Sequence, residues 1–85
     1  MVHAGFGTYI DPSRVVAVVA VESNPIRRML RKAEEAGKVI DATYGRKQRT
    51  AVRLDNGDFV LSAVAPDILA HRVDEARRAI GGGAG

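Results

Sequence analysis

The sequence predicts a single α+β domain, with a mainly antiparallel sheet of about five strands and two helices. Five short segments have the β-branched content or flanking turn residues typical of strands, and only two have helical periodicity. Most of the strand segments follow one another through short turns, which favours antiparallel pairing. The 85 residues suffice for one core, which we assign to residues 1–80, and we expect 81–85 (GGGAG) to be a flexible tail.

The first two predicted strands lie on either side of a turn sequence. Residues 5–10 (GFGTYI) are expected to form a short strand that opens with two glycines. Residues 11–14 (DPSR) have turn composition. Residues 15–21 (VVAVVAV) are almost wholly apolar, which predicts a strand buried on both faces, or packed on the sheet with one face and on another subunit with the other.

The clearest predicted helix spans residues 22–38. Ser23 or Asn24 is a suitable N-cap, Pro25 suits the first helical position, and Gly37 suits the end. Apolar residues recur at helical spacing and predict one stripe that faces the core: Ile26, Met29, Leu30 and Ala33.

The charges on this helix run against its dipole. Basic residues come early and acidic residues late, in the order Arg27, Arg28, Arg31, Lys32, Glu34 and Glu35. One interpretation is that the cations bind a partner. The other is that pairs such as Arg27–Glu34 or Arg31–Glu35 only solvate this face of the helix.

The second half of the chain predicts three strands and a helix. Residues 38–43 and 49–55 are expected to be strands on either side of a loop at 44–48 (YGRKQ), as in a hairpin. Asn56-Gly57 predicts a tight type I′ turn before a third strand at 58–64. Pro66 opens the second helix, with an apolar face made of Leu69, Val73, Ala76 and Ile80.

The sequence contains few residues that could form a catalytic or metal-binding site. There is no cysteine, and nothing near His3 or His71 has metal-ligand spacing, so we expect no enzyme activity, cofactor or metal. No apolar run approaches the length of about 18 residues that a membrane span needs, and we expect a cytoplasmic protein. A chain of this size buries only about 60–65% of its unfolded surface, so self-association is the remaining route to added stability.

Residues 41–53 alone have a net charge of +3, equal to that of the whole chain. They contain four basic residues and one acidic residue, namely Arg46, Lys47, Arg49, Arg53 and Asp41. Such clustering is typical of nucleic-acid binding. In a regular strand Lys47, Arg49 and Arg53 would share one face. Aromatic residues make up only 5% of the chain, which favours the backbone of double-stranded DNA over stacked single-stranded RNA. About three phosphate contacts per subunit give a salt slope of about −3, so tight binding requires an oligomer.

Several motifs together resemble the RemA family of bacterial extracellular-matrix (biofilm) regulators. They lie between Gly5 and Val73: GFG at 5–7, Arg14, ES-x-PI-x-RM at 22–29, IDATYGR at 40–46 and VLSAV-x-P at 60–66. IDATYGR is the most specific of them.

The resemblance implies a non-enzymatic, DNA-binding transcriptional activator with a fold similar to LytTR-type DNA-binding domains. It implies a ring-shaped homo-oligomer, of octamer size or larger, that holds DNA on a basic outer rim. It places DNA contacts on Arg14, Arg46 and Lys47, and a structural or subunit-packing role on Pro25. Lys47 departs from the arginine common in relatives, which retains the charge but loses bidentate recognition.

Two other functions remain open from the residues themselves. One is an oligomeric interaction or scaffold module that binds an acidic protein, which predicts trivial duplex affinity at physiological salt. The other is an RNA-binding adaptor, which predicts a preference for single-stranded RNA in competition.

Overall fold

The computed structural model describes residues 1–5 and 7–81, with side chains as far as Ala79. The described residues form an α+β fold whose elements are, in order, β1 Val2–Gly5, β2 Thr8–Ile10, a 3₁₀ turn Pro12–Arg14, β3 Val15–Ala20, α1 Asn24–Glu35, β4 Val39–Asp41, β5 Thr50–Leu54, β6 Phe59–Ser62 and α2 Pro66–Gly81. Gly81 thus belongs to α2, and the rest of the predicted tail, 82–85, lies outside the described residues. No helix in the described part of the chain is long and apolar enough to span a membrane.

Of the predicted strand at 5–10, only Thr8–Ile10 is confirmed as a strand, β2, because Gly5 belongs to the preceding strand of a hairpin, β1. β1 and β2 pair antiparallel as a separate two-stranded sheet, with His3 opposite Tyr9. Gly5 and Gly7 have φ values of 114° and 81°, which a regular strand does not accommodate, and they mark the turn between the strands.

The other four strands form a mixed sheet in the order β3-β5-β6-β4. β5 pairs antiparallel with β3 and with β6, whereas β4 pairs in parallel with β6, Val39 opposite Phe59. The expected hairpin between residues 38–43 and 49–55 is therefore wrong, since β4 and β5 are not neighbours. The physical reason is that α1 carries the chain from the β3 edge to the opposite edge, and β5 then returns to pair with β3.

Each face of the four-stranded sheet has its own apolar cluster. On one face, Leu30 and Ala33 of α1 pack against inward-facing residues of the central strands, namely Ala51, Phe59 and Leu61. On the other face, α2 and the β1–β2 hairpin cover the alternate residues, and this larger cluster comprises Val2, Ala4, Ile10, Val15, Ala42, Val52, Leu54, Val60, Leu69 and Val73. The period-2 alternation of β5 and β6 thus supplies two layers of core from four strands.

The predicted helix signals are confirmed. The Ser23 hydroxyl accepts a hydrogen bond from the Ile26 N–H at 3.3 Å and is the N-cap of α1. The helix ends in a Schellman motif, in which Gly37 N–H donates to Glu34 O and Lys38 N–H donates to Ala33 O. Pro66 opens α2, and its predicted face packs on the core through Leu69, Val73 and Ala76.

The β5–β6 connection is a hairpin, as predicted, but its turn is not type I′. Type I′ requires positive φ at both central residues, and here only Gly57 has it, with φ 88°. Gly57 N–H donates to Leu54 O and Leu54 N–H donates to Asp58 O, which is the pattern of a three-residue loop with glycine at the bulge. We call residues 54–58 the hairpin turn.

β3 is an edge strand, which contradicts the expectation of burial on both faces. Val15 is buried, but Val16 is 61% exposed and residues 17–19 are only partly covered. The strand carries no charged residue along Val15–Ala20. Uncharged, apolar edges of this kind favour pairing with another chain.

Candidate nucleic-acid interface

The basic segment at residues 42–49 connects β4 to β5, and we call it the crossing loop because it passes over the end of β6 to reach β5. Two backbone hydrogen bonds hold it there. Ala42 N–H donates to Leu61 O at 2.8 Å, and Arg49 N–H donates to Ser62 O at 2.9 Å. The loop therefore rests on the carboxyl end of a central strand, unlike the free tip of a hairpin.

The start of the crossing loop is closed by the carboxylate of Asp41. Its Oδ1 accepts hydrogen bonds from Thr43 N–H at 2.8 Å and from Thr43 Oγ1 at 2.6 Å. The hydrogen bond from the Thr43 hydroxyl, followed by that from its N–H, lowers the pKa of Asp41 below its ordinary value. Thr43 itself is 2% exposed, so this local turn is fixed from inside the molecule.

Tyr44 and Gly45 then reverse the chain. Their φ values are 51° and 83°, and Arg46 N–H donates to Thr43 O at 3.1 Å. Positive φ at both central residues with this hydrogen bond is the pattern of a type I′ turn, which the sequence had predicted at Asn56-Gly57 instead. A tyrosine in this region is strained and needs surrounding structure to hold it. The turn presents Arg46 and Lys47 at the surface, where both are exposed.

Arg53 lies in β5, whereas Arg49 comes directly before the strand. Arg53 alternates with buried Val52 and Leu54 and so lies on the α1 side of the sheet. Arg49 N–H donates to Ser62 O of β6, and Arg49 C=O accepts from Val21 N–H. In a regular antiparallel strand both backbone groups of one residue bond to the same neighbouring strand. Strand alternation therefore begins at Thr50, and the shared face expected from a regular strand does not extend to Lys47 and Arg49.

Arg14 lies at the other end of β5 from the crossing loop. Its Nε is 3.2 Å from Asp55 Oδ1, and its C=O accepts from Asp55 N–H at 2.8 Å. Asp55 is six residues along from Arg49, or about 20 Å at a strand rise of about 3.3 Å per residue. The structure thus does not bring Arg14 together with Arg46 and Lys47, and a ligand that contacts all three has to be extended.

Pro25 is the second residue of α1 and is exposed. It lies in the first turn of the helix, two residues after the Ser23 cap and two residues before Arg27. Its observed position is compatible with the predicted structural role, since its fixed φ favours the start of a helix.

Residue-based prediction missed the contribution of Asp41 and Thr43. They are part of the IDATYGR motif, and the bonds between exposed Asp41 and buried Thr43 hold the start of the loop. The signal was present in the sequence, because an aspartate two residues before a hydrogen-bond donor is typical of an Asx turn.

Other chemistry is sparse in the described part of the chain. It contains no group of His, Asp or Glu side chains placed to hold a metal ion. His71 Nε2 lies 3.0 Å from Glu75 Oε1 on an exposed face of α2, which is ordinary surface pairing one helical turn apart.

Comparison with known proteins agrees with the motif pattern. The family model described as RemA-like, "Extracellular matrix regulatory protein A-like", matches residues 1–73. Extracellular matrix regulatory protein A of Bacillus subtilis is 44% identical over 73 residues, which cover 86% of this chain and 82% of that protein. A protein of Symbiobacterium thermophilum named as regulatory is 48% identical over 73 residues, covering 86% of this chain and 77% of its own. The chain belongs to the family of extracellular matrix regulatory protein A-like proteins.

Proposed function

We propose that this protein is a DNA-binding transcriptional regulator that works as a homo-oligomer and holds duplex DNA on the crossing loop. The name of the Bacillus subtilis relative supports genes of the extracellular matrix as its targets. A regulator of this kind acts in the cytoplasm, where the chromosome is, and needs no catalytic group or cofactor. LytTR-like DNA binding and a ring-shaped assembly belong to the same proposal.

The observation that carries the proposal is that the crossing loop is hydrogen-bonded to β6 and exposes its basic side chains. Arg46, Lys47 and Arg49 are all exposed on a segment anchored to β6 at both ends. Anchored cations lose less conformational entropy when they contact a phosphate than cations on a mobile tip, so each contact is stronger. Phosphate contacts of this kind position a protein on DNA.

Self-association is supported by the exposed edge of β3. The strand combines an unpaired edge, six apolar residues and an exposed Val16. A second copy that covers this edge satisfies backbone groups and removes apolar surface from water. Repetition of the crossing loop around an oligomer multiplies weak contacts and provides avidity.

Selectivity for particular operators then comes from the shape of the DNA. If the DNA bends around an assembly, flexible sites spaced in phase with the subunits bind best, and the bend costs of order 1–6 kcal/mol. Lys47 contributes a point charge to this surface, without the bidentate geometry by which arginine reads guanine.

The test is duplex binding by fluorescence anisotropy at about 50 and 200 mM salt, with the mass of the protein measured in the same buffer. We expect an oligomer whose affinity falls by several orders of magnitude between the two salt concentrations, because many phosphates are contacted at once. Arg46→Ala should weaken binding and make the salt slope shallower without changing the oligomer mass.

A matched control is Arg78→Ala on α2, where the arginine already pairs with Asp74 at 2.8 Å. It removes the same charge at a distance from the crossing loop and should leave the slope unchanged. Negligible duplex affinity, or equal losses for the two variants, would contradict the proposal and favour an acidic protein partner. Tighter binding of single-stranded RNA in competition would favour an RNA adaptor.

A further inference from the structure

A groove runs between α1 and the crossing loop, with a volume of about 760 Å³. Its apolar lining comes from Val21, Leu30 and Leu61. Lys47 lines it from the crossing loop, so the groove is continuous with the surface proposed to bind DNA.

Two arginines of α1 line the same groove. Arg27 and Arg31 are one helical turn apart and therefore lie on one side of the helix. With Lys47 they bring cations to both walls, whereas Arg28, their neighbour on α1, does not line the groove.

The arginines that line the groove are not neutralised by the carboxylates near them. Glu22 and Glu34 also line it, yet none of the ion pairs among the residues that the structure describes involves Arg27 or Arg31. The Arg27 Nε instead donates to Val21 O at 3.4 Å, which directs the side chain along the groove. The intrahelical pairs Arg27–Glu34 and Arg31–Glu35, considered from the sequence, do not form.

The position of Arg27 also costs the helix stability. Arg27 lies in the first turn of α1, next to the positive end of the helix dipole. An anion in the groove would remove this repulsion, which is a physical reason for a cation in an otherwise unfavourable place.

We propose that Arg27 and Arg31 form a second set of DNA phosphate contacts, so that the sugar-phosphate backbone runs from Lys47 into the groove along α1. The proposal rests on the proposed function and adds to it the element that widens the contact surface. DNA is favoured over a small anion because the groove is open along its length and shares Lys47 with the crossing loop. The two glutamates limit the affinity, since a phosphate in the groove has to pass close to them.

This arrangement gives two experiments of opposite sign. Arg27→Gln and Arg31→Gln should each weaken duplex binding roughly three- to tenfold at about 50 mM salt and reduce the salt slope by about one per subunit in contact. Glu34→Gln should strengthen binding, by about twofold or more, because it removes a repulsive charge from the groove.

Each variant has a matched control on the same helix. Arg28→Gln and Glu35→Gln make the same changes of charge at neighbouring positions that do not line the groove, and both should have little effect. The measurement is anisotropy with the full-length oligomer, accompanied by urea unfolding to confirm that each variant is folded.

The possible results are distinct. Equal effects of Arg27→Gln, Arg31→Gln and Arg28→Gln, together with a large loss for Arg46→Ala, would overturn the groove contacts and leave the proposed function intact. Absence of duplex binding by the unaltered protein would overturn both. Displacement of bound duplex by inorganic phosphate at millimolar concentration, with no change of slope in the arginine variants, would identify a small-anion site and contradict a DNA contact.

Discussion

The crossing loop and the hairpin turn leave opposite ends of the same strand, β5, and differ in how they are held. The hairpin turn is held mostly by bonds among Leu54, Asn56 and Asp58 and by a glycine with positive φ, and one backbone bond, from Asp55 N–H to Arg14 O, ties it to a distant segment. The crossing loop has a comparable local bond, in which Thr43 N–H donates to Asp41 Oδ1, but its two ends are fixed by Leu61 and Ser62 of another strand. The hairpin turn thus has one residue tied to a distant segment, whereas the crossing loop is fixed to another strand at both of its ends.

The two segments also carry opposite charge. The hairpin turn contains Asp55 and Asp58, and the crossing loop contains Arg46, Lys47 and Arg49. The acidic end repels phosphate and partly offsets Arg14, whose exposed pair with Asp55 is of the weak surface kind. In the function that we propose, phosphate is contacted by the basic crossing loop and not by the acidic hairpin turn at the other end of β5.

The largest effect should come from the Asp41 carboxylate. Asp41→Ala removes two hydrogen bonds and leaves a buried hydroxyl on Thr43 without its acceptor, which should lower the free energy of unfolding by about 2–3 kcal/mol. The corresponding change in the hairpin turn, Asn56→Ala, also removes two hydrogen bonds, from Asp58 N–H and to the Asp58 carboxylate, but both are at an exposed site and leave no buried group unpaired, so it should cost about 0.5–1 kcal/mol. Urea denaturation measures both.

Duplex binding separates the two variants further, since only Asp41→Ala should reduce affinity. A cost for Asn56→Ala that equals or exceeds that for Asp41→Ala would show that support from outside the turn matters less than we infer.

An intermediate and equal effect is expected at the two glycines. Gly45 and Gly57 have φ values of 83° and 88°, so an alanine at either position adopts an unfavourable left-handed conformation. Gly45→Ala and Gly57→Ala should each lower the free energy of unfolding by about 1–2 kcal/mol. Neither added Cβ meets an atom closer than the Lys38 Nζ, 3.7 Å from that at Gly57, so the cost is conformational.

Because the two glycine variants are expected to lose equal stability, their duplex binding can be compared directly by fluorescence anisotropy. Gly45→Ala should weaken duplex binding because it moves Arg46 and Lys47, whereas Gly57→Ala should not. The idea would fail if both variants lost the same amount of binding.

The smallest effect is the dependence on pH. The pKa of Asp41 lies below its ordinary value of 3.8 because the Thr43 hydroxyl and N–H stabilise the charged carboxylate. Its contribution to stability is therefore complete above the unfolded pKa and is lost as the pH falls below about 4 through the lower folded pKa. Urea midpoints measured between about pH 5 and pH 2 should fall less steeply for Asp41→Asn than for the wild type.

If the urea midpoints of Asp41→Asn and the wild type fell equally steeply with pH, the stability contributed by this bond would not depend on the charge of Asp41. Asp11, whose pKa is lowered by hydrogen bonds from Ser13, remains in both proteins and contributes the same slope to each.

Local signals in the sequence predicted what is local in the structure. Ser23, Gly37 and Pro66 mark helix ends, and the apolar stripes of α1 and α2 are on the core, because caps and helical periodicity act within a few residues. The position of the β5–β6 hairpin was also predictable. Its turn type was not predictable, because the predicted and the observed turn differ only in the sign of φ at Asn56.

The path of the basic segment was not predictable in the same way. Two strand-like runs on either side of YGRKQ have the pattern of a hairpin, and only the position of α1 decides that β4 pairs with β6. For the same reason the composition of β3 left two alternatives open, burial on both faces or contact with another subunit on one face, and the strand order places β3 at an edge. The candidate site residues were found from charge and motif, whereas their separation along β5 required the strand order.

The parallel pairing of β4 with β6 has a consequence for the order of folding. β4 precedes β6 by about 20 residues, and its partner strand exists only after β5 and the hairpin turn have been made. Local hairpins form faster than contacts between distant segments. The crossing loop therefore acquires its shape late, when the rest of the sheet is complete. A nascent or partly folded chain carries the same cations without their arrangement, so in the function that we propose DNA binding would require a completely folded subunit.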